Sequence, residues 1–448
     1  MIEITLIVIF TASILVCLFL TGSVLPALIF GFALFLAYGV VKGSSASRMF
    51  KYAIGGVKSS VGVLVLLLLV GMLTATWRAS ATMAYMVDVV VSVCPVPLII
   101  LGTFLLCSLV SFLVGSAFAT AATVGAICVV VANSSGASSI YVGGAVIAGA
   151  YFGDRCSAVS GSALLVASLT STKVKTNMTE MVKTSIVPFA LTCAFFLALG
   201  IVFSHTSGFA QTPEYLSTCY TLSVIDILPA IAVLILALAG LPCFAVLAIG
   251  ALLGGIVAVC VQGCGVSEIL YACIFGYVAP DGCAAALSGG GCVSMFSAMA
   301  IIFISSCYAG MFEESGMLAN IEHVIEKVGE GAGPFFATLL ASVFSSICAC
   351  NQTLAIILTH QLCKKSVPDG ALLASHMENT VVLLAACVPW STAVAVPLAA
   401  IGAPASCIFF AAYLYLVPLW NAGVALVEKH SRKKLTSVPT KRATTRAL

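Results

Sequence analysis

Gly149-Ala150-Tyr151-Phe152-Gly153-Asp154-Arg155-Cys156-Ser157-Ala158-Val159-Ser160-Gly161-Ser162 closes a run that carries no charge from Val89 to Gly153. Then an acid and a base stand side by side. A charge near a bilayer centre costs roughly 2.5–3.5 kcal/mol or more on insertion scales, so such residues usually face a bundle interior or a wet cavity and mark a path for ions or substrate. The rival reading is a solvated pair in a surface loop. Basic residues resume only at Lys173, and that polar but uncharged interval favours the buried reading. A carboxylate here can hold a proton or a metal cation, and the two compete for one place.

Composition sets the class. Hydrophobic residues make up 61% of the 448 and charged residues 8%, with a mean hydropathy of +1.19. Soluble domains have about 45–50% apolar and about 25% charged residues. The chain reads as an all-α polytopic membrane protein. A span takes about 20 residues, so about ten to twelve transmembrane helices fit, some broken or re-entrant. The net charge of +3 comes from the tail, Lys429, Arg432, Lys433, Lys434, Lys441, Arg442 and Arg446. Nothing resembles a nucleic-acid surface. The 19 cysteines are scattered through apolar runs and read as small hydrophobes, and the Cys348/Cys350 pair reads the same way. The N-terminus reads as a retained first helix rather than a signal peptide.

The expected spans are Ile4–Thr21, Ser23–Val41, Val57–Trp77, Pro97–Val114, Ala119–Ala132, Ile140–Gly153, Thr184–Ser204, Ile227–Gln262 broken at Gly240-Leu241-Pro242, Ser294–Phe312, Pro334–Cys350, and Asn379–Val427 broken near Pro397–Pro404. Met83–Cys94 reads as an interfacial piece or half-helix. Lysines and arginines of short loops face the cytoplasm. Lys42, Arg48, Lys51 and Lys58, then Lys173, Lys175 and Lys183, then Lys364-Lys365 and the tail place both termini inside, and His205–Asp226 outside.

The chain also repeats itself weakly at about half its length. Gly71-Met72 resembles Gly310-Met311, Val114-Gly115-Ser116 resembles Phe344-Ser345-Ser346, and Asp154 falls opposite Glu378-Asn379. Two such halves, often inverted, are a common transporter plan with the site between them. The expected division is 1–56 for a first helix pair and basic loop, 57–204 for one transport repeat, 205–293 for connecting helices, 294–428 for the second repeat, and 429–448 for the tail.

Four constellations could carry chemistry. Gly115–Gly125 alternates small and hydroxylated residues, with Ser116, Thr120 and Thr123; it suits either a tight helix contact or oxygen ligands beside a helix break. The second is Asp154, Arg155, Ser157 and Ser160. The third is Cys350-Asn351-Gln352-Thr353, neutral amides in an apolar setting. The fourth is His376-Met377-Glu378-Asn379-Thr380, where Glu378 is the one acid between Asp369 and Glu428. For the last two, polar residues capping helix ends are the rival reading. Trp77-Arg78 reads as an interfacial anchor, and Glu313-Glu314 as an outer gate or a solvated helix end. Glu322, Glu326 and Glu330 read as a wet helix face, and the lone histidines as structural. No phosphate loop is present, so transport draws on ion or substrate gradients. No HExxH and no nucleophile–base pair argues for an enzyme.

Taken in order, Gly115–Gly125, Gly149–Ser160, Gly289–Met295 with Gly310–Leu318, Asn351–Leu358, and Glu378 through Pro389-Trp390 resemble the NhaC-type sodium/proton antiporter family. The resemblance covers the chain from Gly71 to Asn421. It implies a secondary transporter of a prokaryotic cytoplasmic membrane, without cofactor, that trades a cation for protons; some relatives carry small organic acids or amino acids instead. Three positions where the family carries acids are neutral here, at Gly161, Asn351 and Asn379. The expected site is Asp154, which also holds the transported cation. Ser116, Thr120, Thr123, Ser157 and Ser160 join it from one half; Asn351, Gln352, Glu378 and Asn379 join from the other. Arg155 tunes Asp154 or holds charge in the empty site. An exchanger of small organic acids or amino acids is the alternative, and a channel a further rival. Small-residue faces hint at a homodimer in the lipid bilayer.

Overall fold

The computed structural model describes residues 2–21, 23–93, 96–134, 138–158, 160–204, 220–279, 288–315, 322–349 and 351–436. Among these, regular structure is helical throughout, beside one isolated antiparallel bridge between Tyr277 and Gly289. A bilayer dictates this, because hydrocarbon offers no partner to an open N–H or C=O. Val174–Val202, Cys243–Cys260 and Gly370–Cys387 are each long and apolar enough to cross alone; shorter apolar helices such as Leu25–Val41, Ile99–Val114 and Pro334–Ala349 accompany them.

Most expected spans are present with shifted ends. Helices run over Ile2–Thr21, Leu25–Val41, Val61–Ala79, Thr82–Val93, Ile99–Val114, Ser139–Cys156, Leu228–Leu238 and Cys243–Cys260, the last two parted by the expected break. Several polar stretches are helical where loops were expected. The basic link becomes Ala46–Val57, started by the Ser45 hydroxyl accepting from the Arg48 N–H at 3.3 Å. Its Met49 and Ala53 are buried against the Phe296–Ser315 helix, so amphipathicity outweighed its charge. The span expected from Thr184 begins at Val174, which puts Lys175 and Lys183 on its first turns. Gly161–Leu169, Val266–Phe275 and Gln352–Cys363 are helices too short to register as spans. The crossing expected from Asn379 begins at Gly370, and Thr392–Ala400 and Ala412–Thr436 follow it. Trp77 is no interfacial anchor: it is 1% exposed and donates from Nε1 to the Gly250 carbonyl at 3.2 Å. Glu313-Glu314 falls at the C-terminal end of Phe296–Ser315, three residues past Gly310, which abuts Tyr52 of the basic helix.

Two helix–break–helix hairpins organise the core. In the first, Ile99–Val114 ends at Gly115, whose φ of +70° is a left-handed conformation that costs glycine little. Ser116 then caps a new start at Ala117, and helix runs on through a π turn, Ala121–Gly125, to Ser134. In the second, Pro334–Ala349 gives way to Asn351, which caps Gln352–Cys363. The hairpins open at opposite ends of the Val174–Ser204 helix. Pro97, just before the first, abuts Gly200 near its C-terminus; Gly370, seven residues past the second, abuts Thr170 just before its N-terminus. Ser116 and Asn351 therefore play matching roles. The expected match to Ser345-Ser346 is corrected, because those serines lie buried inside an unbroken helix.

Between the hairpins runs Ser139–Cys156, buried from Val142 onward except at Phe152. Its small residues admit neighbouring backbones, and at Gly153 a Cβ would overlap the Ser111–Phe112 backbone. Two residues past the contact stands Arg155, wholly buried. Its Nε donates to the Glu378 carbonyl at 2.8 Å. One terminal nitrogen donates to the Tyr413 hydroxyl at 2.9 Å, the Met181 carbonyl at 3.2 Å and the Ser185 hydroxyl. The other donates to the Thr184 hydroxyl at 2.8 Å and to Asn379 Oδ1. Every oxygen in this cage is neutral, and together they belong to three other helical segments. Arg155 is thus a clamp. No ion pair joins Arg155 to Asp154 among the described residues.

Two outcomes test this packing in detergent-purified protein. Gly153→Val should lower Tm by about 5 °C or more through overpacking, while Gly102→Ala, which meets open space, should not. Arg155→Lys, which cannot span the planar cage, should cost about 5 °C or more, whereas an unchanged Tm would mean the clamp bears little.

Candidate functional site

Asp154 lies on the last turn of its helix and is 6% exposed. Its carboxylate is met by neutral donors alone. The Ser160 hydroxyl donates to Oδ1 at 2.9 Å and the Ser162 hydroxyl to Oδ2 at 3.0 Å. Gln352 Nε2 reaches Oδ2 at 3.4 Å and also donates to the Val382 carbonyl at 2.9 Å. The Ala117 N–H bonds the carboxylate as well.

These donors share an origin. Ser116 caps the first hairpin's second arm, accepting from the Ala119 N–H at 3.2 Å. Ser160 caps Gly161–Leu169, accepting from the Ser162 N–H at 3.2 Å. Asn351 caps Gln352–Cys363, accepting from the Leu354 N–H at 2.8 Å. Three helix starts therefore converge on one carboxylate. Helix N-termini carry partial positive charge and open N–H groups, so they stabilise an anion without a fixed cation. Beside it lies a cavity of about 200 Å³, lined among others by Gly115, Ser116, Asp154, Ser162, Gln352 and Thr353.

Of the expected residues, Ser116, Ser160, Asn351 and Gln352 gather at Asp154 directly or through these caps. Ser157 is buried at the helix end, its N–H on the Gly153 carbonyl at 2.9 Å. Thr120 and Thr123 are buried on the first hairpin, and their hydroxyls donate back to Ser116 and Ala119 at 2.9 and 2.6 Å. Asn379 serves the Arg155 clamp, also accepting from the Thr184 hydroxyl at 3.0 Å. Glu378 is wholly buried, and neither carboxyl oxygen has a hydrogen-bond partner among the described residues. A free carboxylate so placed costs several kcal/mol, so this group calls for a proton or a cation. Cys350 lies outside the described residues.

Ser162 was not among the expected ligands, although it stands in the decisive stretch. Its signal was the spacing from Ser160 across a helix start, legible only once Gly161–Leu169 is known to be helical. Thr184, Ser185 and Tyr413 carried no signal, being hydroxyls inside apolar spans. Among the described residues, no group of three or more His, Cys, Asp or Glu side chains could hold a resident metal. A transported cation would instead use Asp154 with hydroxyl and carbonyl oxygens. Ser160 and Ser162 can rotate their protons away and present lone pairs.

The sequence model of the Na+/H+ antiporter family matches residues 1–170 and 149–423. The malate-2H(+)/Na(+)-lactate antiporter of Bacillus subtilis (strain 168) is 26% identical over 385 residues, 83% of this chain and 82% of that protein. The Na(+)/H(+) antiporter NhaC of the same organism is 26% identical over 393 residues, 85% of this chain and 87% of that one. The arginine/ornithine antiporter ArcD of Halobacterium salinarum is 24% identical over 381 residues, 81% and 78% of the two chains. With both matched segments spanning nearly the whole sequence, this all-α polytopic membrane protein belongs to the Na+/H+ antiporter family.

Proposed function

We propose that the protein exchanges sodium, or a similar monovalent cation, for protons across a prokaryotic cytoplasmic membrane, with both termini inside. The observation that carries this is the Asp154 carboxylate, buried, held by neutral donors and bordered by a cavity. Because no fixed cation neutralises it, the carboxylate can be discharged by a proton or by a cation, and each excludes the other. Glu378 offers a second exchangeable carboxyl near the clamp. Arg155 stays bound throughout and adds one permanent positive charge, which tempers the cost of two buried acids. Alternating access follows if 57–204 and 294–428 rock against each other, since each half supplies one hairpin tip to the same carboxylate.

A second reading rests on the relatives. Proteins on this scaffold are named for malate, lactate, arginine and ornithine, so an exchanger of small organic acids or amino acids is the alternative. Counterflow of labelled acids and amino acids in vesicles separates the two.

In proteoliposomes with a trapped pH dye, sodium added outside should alkalinise the lumen. Asp154→Asn should slow this by roughly a hundredfold or more, and Glu378→Gln by roughly tenfold or more. An undiminished response from Asp154→Asn would refute the assignment.

A further inference from the structure

The Pro334–Ala349 helix carries a row of hydroxyls outside the Asp154 site. Thr338, Ser342, Ser345 and Ser346 recur at steps of three and four, which sets them along one face. All four are buried. At the start of this helix, Pro334 and Phe335 line a cavity of about 380 Å³ together with Glu330, His376, Glu428 and Lys429. At its other end comes the break before Asn351, and Gln352 just beyond reaches Asp154. Lys429 opens the basic tail, and Gly370 past the hairpin abuts Thr170, beside Lys173, Lys175 and Lys183. By the charge rule for short loops, the cavity end is cytoplasmic. The row thus leads from the cytoplasmic face to the carboxylate.

The hydroxyls are arranged to pass a proton along. Ser342 has one proton and two acceptors, the Thr338 carbonyl at 2.7 Å and the Thr380 hydroxyl at 2.8 Å. Thr380 in turn donates to the carbonyl of His376, at the cavity wall, at 2.7 Å. Farther in, the Ser345 and Ser346 hydroxyls have no hydrogen-bond partner among the described residues. Nor has Thr359 on the hairpin's other arm, nor the carboxyl of Glu378, two residues before Thr380. Buried polar side chains are nearly always paired, so four unpaired groups on neighbouring segments call for bridging water. A hydroxyl both donates and accepts, so it relays a proton without ionising. The same row is unfit for sodium. Its oxygens stand about a turn apart, too sparse to replace the water of a bare cation, and the carbonyls of an unbroken helix are already bonded. The cavity beside Asp154, with Ser116 and Thr353 in its wall, shares no described lining residue with the cytoplasmic one.

We propose that this hydroxyl row, bridged by water, is the proton's route between the cytoplasm and Asp154, separate from the cation's route through the cavity at Ser116 and Thr353. Each member takes a proton on one side and gives up another on the far side, so one proton crosses and no member is left charged. The route presupposes the Asp154 reading.

The double variant Ser345→Ala/Ser346→Ala tests it in proteoliposomes with a trapped pH dye. Sodium-driven alkalinisation should slow by roughly tenfold or more, while the sodium concentration for half-maximal rate stays unchanged. Heavy water should slow the double variant more than the wild type, which a packing defect would not cause. Ser108→Ala, which removes a buried hydroxyl off the row that donates to the Phe104 carbonyl at 2.7 Å, should change none of these. A wild type without sodium-driven alkalinisation would sink the Asp154 reading and this route with it. A wild-type response undiminished in the double variant, or one slowed with half-saturation raised and no added heavy-water effect, would overturn the route alone.

Discussion

A broken helix inside a bilayer frees N–H groups that have no water to turn to, and a carboxylate there has no water either. In this protein each answers the other. The starts at Ser116, Ser160 and Asn351 turn their open ends towards Asp154, which accepts from the Ala117 N–H, two serine hydroxyls and the Gln352 amide. Everything else in the core serves to bring those ends to one place. Gly115 makes the first turn, Gly153 admits the first hairpin's backbone, and the opposed openings of the two hairpins let both tips reach the same depth.

The adjacent acid and base have separate tasks. Successive helical residues point about 100° apart, so a neighbour in sequence need not be a neighbour in contact. Arg155 turns into a cage of neutral oxygens, where the C-terminal carbonyl of Gly370–Glu378 suits a cation. That fixed charge holds the Val174–Ser204, Gly370–Glu378 and Ala412–Thr436 helices to the central one. Asp154 is left without a countercharge of its own, which is the condition for an exchangeable one.

The sequence made the membrane class legible through composition, and Asp154 through its isolation in an apolar run. Long helices announced themselves by length. Short ones did not. Gly161–Leu169 and Gln352–Cys363 fall below the length at which hydropathy separates span from loop, and their starts are the site. Ser162 was missed for that reason. The clamp was illegible because its partners, Thr184, Ser185 and Tyr413, are lone hydroxyls in apolar helices, and their convergence is tertiary. The repeat was read in the wrong register at Ser345-Ser346, since a serine pair looks like a break whereas the true break is capped by Asn351.

The central claim is that proton and cation occupy Asp154 in turn. It is tested most directly by mixing unbuffered, detergent-solubilised protein with sodium and counting the protons released. The account predicts proton release that saturates with sodium binding and disappears in Asp154→Asn, with the fold intact. Sodium binding without proton release, or release that persists in Asp154→Asn, would contradict it.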